Sequence, residues 1–213
     1  MTTKVKICGV KTEAALEAAL AGGADYVGLV FFAASPRSID PAAAAALAAK
    51  ARGRAKVVAL LVDPDDALIE AVVKAVAPDM LQLHGNESPE RALAIRRRWD
   101  LPVVKAIKVA SIADARIALN YRAMADMILF DARPPEGADR PGGHGAAFDW
   151  SMLTGVKEHV PYMLSGGLTP DNVAEAIRAT RATIVDVSSG VETSPGEKDP
   201  ALIGRFLQAA KAV

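Results

Sequence analysis

The chain has 213 residues, 51% of them hydrophobic, with 25 Lys+Arg set against 25 Asp+Glu. That is the composition of a soluble globular protein with a large core, and a formal net charge of zero gives no basic footprint for nucleic acid. Apolar runs are short and interrupted, well under the ~20 residues of a membrane span, the first residues hold no signal-peptide core, and one cysteine excludes an internal disulfide and suits a reducing cytoplasm.

Taken in order, Lys4-Val5-Lys6-Ile7-Cys8-Gly9 reads as a short strand with a tight exit, delivering the lone cysteine to the strand's carboxyl end. Thr12 caps a helix with leucines at helical spacing that stops at Gly22-Gly23. Asp25 to Phe32 is a nearly continuous run of β-formers, the pattern of a strand covered on both faces in a parallel sheet. A loop with Ser35-Pro36-Arg37-Ser38 follows, then a helix from Pro41 to Ala51, a third strand over Lys56 to Val62 and a helix from Asp65 to Val76. The fourth strand, Asp79 to Leu83, runs into His84-Gly85, and Ser88-Pro89 opens the next helix. A fifth strand spans Val103 to Ile107, with a helix from Ser111 to Ala123, and the sixth spans Met127 to Asp131. The chain then loosens from Arg133 through Gly142-Gly143-His144-Gly145, and an irregular segment of that length inside one domain points to function. Phe148-Asp149-Trp150 is expected to open a helix, followed by a strand over Pro161 to Ser165, a helix from Pro170 to Ala179, a strand over Thr183 to Val187 and a last helix from Asp199 to Ala212.

Strand followed by helix occurs eight times with no hairpin in the reading. Right-handed crossovers then close the strands into a single α/β domain over residues 1–213, a (β/α)₈ TIM barrel with parallel strands; an open doubly wound sheet would need two strands misassigned.

Barrel enzymes gather their chemistry at the carboxyl ends of the strands. Cys8 and Asp131 both end strands there, on opposite sides of the mouth, and form a candidate base and acid. The alternatives are an inert apolar thiol and a turn-capping carboxylate. A thiol is only a few per cent ionised at neutral pH, so a base needs a cation beside it, and Lys6 on the same strand face is a candidate. After the last two strands come Ser165-Gly166-Gly167-Leu168-Thr169-Pro170 and Ser188-Ser189-Gly190-Val191-Glu192. Glycines let backbone amides close on an anion, and a following helix aims its amino terminus at the same point. Arg37 has the planar fork for a carboxylate or phosphate, or is a solvated surface residue. His84 is either a donor to substrate or a satisfied turn residue. The three histidines lack metal-ligand spacing, so no metal is expected.

Lys6-Ile7-Cys8-Gly9, Ser35-Pro36-Arg37, Gln82-Leu83-His84-Gly85, Phe130-Asp131, Ser165-Gly166-Gly167-Leu168 and Asp186-Val187-Ser188-Ser189-Gly190-Val191-Glu192 together resemble the phosphoribosylanthranilate isomerase family of tryptophan biosynthesis, in order along essentially the whole chain. The resemblance implies a (β/α)₈ barrel, no cofactor, and an Amadori rearrangement of a phosphorylated aminosugar bearing anthranilate. It also implies roles: Asp131 the general acid, Cys8 the general base, Arg37 the anthranilate carboxylate site, Asp186 and His84 near the sugar, and Gly166, Gly167, Ser188, Ser189 and Gly190 the phosphate site. A small-molecule substrate is the expected partner, with no nucleic acid or membrane, and a monomer or homodimer as the assembly. One departure is His144, where the family more often has a hydroxyl residue. Another sugar-phosphate isomerase on the same scaffold, or a phosphate-binding protein without chemistry, are the competing readings; the second has no use for the pair Cys8 and Asp131.

Overall fold

A computed structural model describes residues 2–132 and 148–213. Its main sheet consists of β1 (Lys4–Cys8), β2 (Tyr26–Phe31), β3 (Lys56–Leu61), β4 (Met80–Leu83), β5 (Val103–Val109), β6 (Met127–Ala132), β7 (Tyr162–Leu164) and β8 (Ile184–Val187). The strands close in chain order into a barrel, β8 pairing back onto β1 through Lys4 with Ile184 and Lys6 with Asp186, and every pairing in it is parallel. The expected TIM-type barrel is therefore the observed fold. The loop from Arg133 to Gly145, with His144, lies outside the described residues.

The helices are α1 (Glu13–Ala21), α2 (Pro41–Ala51), α3 (Asp66–Val76), α4 (Pro89–Trp99), α5 (Ile112–Arg116), α6 (Val173–Thr180) and α7 (Pro200–Lys211). Their starts follow from local chemistry. Thr12, Asp65, Ser88 and Ser111 each accept a hydrogen bond from a backbone N–H three residues on, and prolines open α2, α4 and α7, where no N–H is needed.

Four expectations are corrected. The helix expected from Ser111 to Ala123 is a short α5 continued by a 3₁₀ turn at Ile117–Tyr121. The one expected at Phe148-Asp149-Trp150 is only a 3₁₀ turn, Trp150–Leu153, because Gly155 follows in the left-handed region, φ +79°. The helix expected from Pro170 begins at Val173: Asn172 Oδ1 accepts from the Thr169 N–H at 2.8 Å and its amide donates to Gly167 O at 2.9 Å, which commits residues 170–172 to a turn. A small antiparallel pair, β9 (Glu192–Ser194) and β10 (Glu197–Lys198), stands where no hairpin was expected.

Alternation in the strands decides which side chains enter the barrel. Tyr26, Val58, Met80, Val104, Leu129, Met163 and Ile184, one from each of β2 to β8, pack together as an apolar layer inside it. Counting by twos from these residues and their register partners puts Lys6 and Cys8, Gln82 and His84, Asp131, Ser165 and Asp186 on the same inward face, nearer the carboxyl rim. The opposite face of the strands packs against the helices in the larger apolar core.

Candidate active site

The ring order brings together residues that are far apart in sequence. Going round the carboxyl rim from β6 to β1, Asp131 comes first, then the loops after β7 and β8, then Cys8, with Arg37 in the loop after β2. The two glycine-bearing loops thus lie between the candidate acid and the candidate base. Cys8, Asp131, His84 and Asp186 are all buried, and Cys8 packs beside Val30 and Leu60.

Beneath the thiol the barrel interior turns ionic. Lys6, fully buried, donates from Nζ to Asp186 Oδ1 at 2.8 Å, and the Ser165 hydroxyl donates to Asp186 Oδ2 at 3.0 Å. Burial alone would lower the proton affinity of Lys6. The charge of Asp186 and its hydrogen bond outweigh it, so Lys6 is held above the usual lysine range as a firm cation. Burial also pushes the Cys8 thiol up, and Asp186 adds to that push; Lys6 and Lys198 oppose it without reversing it. In the protein without substrate the thiol is therefore protonated at neutral pH, and Lys6 is the cation positioned to favour the thiolate when it forms.

Across the mouth, His84 Nε2 lies 3.2 Å from Asp131 Oδ2, while Asp131 Oδ1 accepts from the Ala132 N–H at 2.9 Å. His84 Nδ1 is engaged by the side-chain amide of Gln82 at 3.0 Å. Both ring nitrogens of His84 are thus engaged, and the ring braces the candidate acid. The turn it begins is fixed from outside the barrel, where Lys105 donates to Gly85 O and to Glu87 Oε2, both at 2.8 Å.

The loops after β7 and β8 interlock. Gly166 and Gly167 take φ of +84° and +64°, and a Cβ on Gly166 would run into the backbone N of Ala132. A Cβ on Gly190 would collide with the carbonyl of Leu168, so only glycine lets the second loop lie on the first. The Ser188 hydroxyl donates to Cys8 O at 3.1 Å, which ties this cradle to the strand that carries the thiol.

Arg37 is a buried residue and not a solvated one. Its Nε and Nη2 donate to Glu192 Oε1 and Oε2 at 2.8 and 2.7 Å, a fork on a carboxylate. Glu192 also accepts from Lys198 Nζ and from the Gly196 N–H, and Lys198 in turn donates to Ser188 O at 3.0 Å. Burial raises the Glu192 carboxyl, but Arg37 and Lys198 overcome it and leave the group below its usual range. Glu192 and Lys198 were not singled out as site residues by sequence. The usable signal was Pro195-Gly196, a turn dipeptide that folds Lys198 back onto Glu192. Removing this carboxylate leaves two buried cations face to face, so Glu192→Ala is expected to destabilise the fold by about 3–5 kcal/mol. Urea unfolding followed by circular dichroism would show it as a lower midpoint.

A closed parallel barrel with ionisable side chains gathered at its carboxyl rim, flanked by two glycine loops, is the layout of a (β/α)₈ enzyme acting on a small anionic substrate. Residues 5–209 match the family model for N-(5'-phosphoribosyl)anthranilate (PRA) isomerase. The chain is 58% identical over 212 residues to N-(5'-phosphoribosyl)anthranilate isomerase of Rhodopseudomonas palustris strain BisA53, covering 100% of this chain and 97% of that protein. Among solved structures, phosphoribosylanthranilate isomerase in complex with reduced 1-(o-carboxyphenylamino)-1-deoxyribulose 5-phosphate superposes with a TM-score of 0.86 at 35% identity, over 99% of this chain and 100% of that one. Monomers generated from the dimeric enzyme of Thermotoga maritima match with the same TM-score, identity and coverage, 0.86, 35%, 99% and 100%. The chain belongs to the N-(5'-phosphoribosyl)anthranilate isomerase family.

Proposed function

We propose that the chain catalyses the Amadori rearrangement of N-(5-phosphoribosyl)anthranilate to 1-(2-carboxyphenylamino)-1-deoxyribulose 5-phosphate, an aldose-to-ketose isomerisation in tryptophan biosynthesis, with Asp131 as acid and Cys8 as base. The activity is that of its family. The observation that supports the residue roles is the rim order: an acid on β6 and a thiol on β1 face inward with the cradle of β7 and β8 between them.

With its phosphate held by the amides around Gly166, Gly167, Ser189 and Gly190 and by the Ser188 loop, the substrate's ring lies between the two groups. Asp131 gives a proton to the furanose ring oxygen, the C1–O bond breaks, and the anilino nitrogen's lone pair completes a Schiff base at C1. Cys8, as thiolate, takes the C2 proton, and the C2–H electrons form the enolamine. The C2 hydroxyl then loses its proton, C1 gains one, and the ketone results. Acid and thiol are reset by returning one proton from sulfur to carboxylate through solvent. Arg37, with one edge fixed on Glu192, holds the anthranilate carboxylate, and Asp186 and His84 line the sugar.

The 213 residues work as one barrel domain in the cytoplasm, as a monomer or homodimer. The lone cysteine supports a reducing compartment, and no helix among the described residues is long and apolar enough to cross a membrane. A direct assay follows the anthranilate fluorescence of the substrate. Adding the protein is expected to quench it catalytically, and an unchanged trace with freshly made substrate overturns the proposal.

A further inference from the structure

Gln82 is 1% exposed, and its carbonyl oxygen Oε1 is a buried acceptor with no hydrogen-bond partner among the described residues. Its amide nitrogen is the atom that meets His84 Nδ1 at 3.0 Å. An amide N–H can only donate, so in this orientation Nδ1 is bare and the ring's one proton sits on Nε2, donated to Asp131 Oδ2 at 3.2 Å. With Asp131 a carboxylate, that is one proton shared among Nδ1, Nε2 and Oδ2, the state of an acid that has already given its proton away. The acid form holds two. Drawn as an imidazolium beside a carboxylate, or as a neutral ring whose Nε2 accepts the carboxylic acid's proton, Nδ1 carries hydrogen, and its partner must then be an acceptor. A half-turn of the Gln82 amide supplies that acceptor, the same oxygen that otherwise has no partner.

We infer that Gln82 is a positioning residue for the acid: with its carbonyl turned to His84 Nδ1 it holds a proton there, so that the second proton stays on the line between Nε2 and Asp131, from which it is delivered to substrate. The amide turns as the proton count changes from two to one, and each count has its own orientation. This rests on the reading of Asp131 as the acid. Other groups around the pair are the same in every comparison below: Lys108 of β5, in register with Asp131; Cys8 and Lys6 of β1; Asp186 of β8; and Asp63, Glu87 and Lys105 around the His84-Gly85 turn.

With only three histidines in the chain, ¹⁵N-histidine labelling resolves the rings individually, and His84 is assigned by the signal lost in His84→Asn. Across the pH range of turnover, wild-type His84 is expected to carry hydrogen on Nδ1. Gln82→Met, which offers no acceptor, is expected to lose that hydrogen and to lower kcat roughly tenfold or more with little change in KM. Gln82→Glu, an acceptor only, is expected to keep it and to carry the alkaline limb of the kcat profile to higher pH than in wild type. A bare Nδ1 throughout the active range in the wild-type protein, or wild-type pH profiles in both variants, overturns the inference. The wild-type spectrum decides even if the methionine variant fails to fold. A bare Nδ1 together with an inactive Asp131→Asn removes the role of Gln82 and leaves the acid in place, whereas an active Asp131→Asn removes both.

Discussion

Cys8→Ser is expected to fold normally and to lose roughly 10²–10⁴ in kcat, about 3–5.5 kcal/mol of transition-state stabilisation. Serine keeps the small side chain in its pocket beside Val30 and Leu60, so packing is nearly conserved. What changes is proton affinity: a hydroxyl is far harder to ionise than a thiol, and Lys6 below it cannot make up the difference. KM should move little, since the groups proposed to grip phosphate and carboxylate are elsewhere. The wild-type profile carries a second signature. Because burial holds the free thiol above its ordinary value, the base is lost as pH falls, and the ascending limb of kcat/KM should lie on the alkaline side of that of a simple thiol. Stopped-flow fluorescence with both proteins measures all three quantities, and a serine variant within a few-fold of wild-type kcat would remove the thiol from the mechanism.

Asp131→Asn is expected to cost as much, roughly 10²–10⁴ in kcat, for the complementary reason. The amide is nearly isosteric and still accepts from the Ala132 N–H and meets His84, yet it has no proton to give to the ring oxygen. Without that proton the leaving group in ring opening is an alkoxide. Substrate should still bind, and loss of the fluorescence decay with retained equilibrium quenching on titration separates chemistry from binding. Wild-type turnover in this variant would mean that some other group opens the ring.

The sequence carried the barrel because each level agreed. The apolar run from Asp25 to Phe32 read as a strand covered on both faces and that from Lys56 to Val62 as the third strand, and Thr12, Asp65 and Ser88 marked helix starts that the structure keeps within a residue. It was less informative where short-range polar contacts overrule periodicity, as at Asn172, whose side chain folds back on Thr169 and Gly167 and delays α6 by three residues from the expected Pro170 start. The site was legible as a set of rim positions and not as a set of contacts. That Cys8 and Asp131 end strands follows from one-dimensional pattern. That Gln82 reaches His84, that His84 reaches Asp131 over β5, and that Glu192 fixes Arg37 from 155 positions away depend on the closure and stagger of the barrel, which no local window contains.

Lys6 and Asp186 form an ion pair inside a barrel whose interior also holds the apolar layer that includes Tyr26, Met80, Leu129 and Met163. Desolvating two charges costs several kcal/mol each, and a well-packed hydrocarbon pair in that place is often as stable or more so. Selection for mere persistence of the barrel would therefore drift these two positions toward aliphatic residues together, and never singly, since one charge left without the other is the worst arrangement of all. Joint loss of the two charges would therefore cost the barrel little, whereas loss of either one strands the other in hydrocarbon.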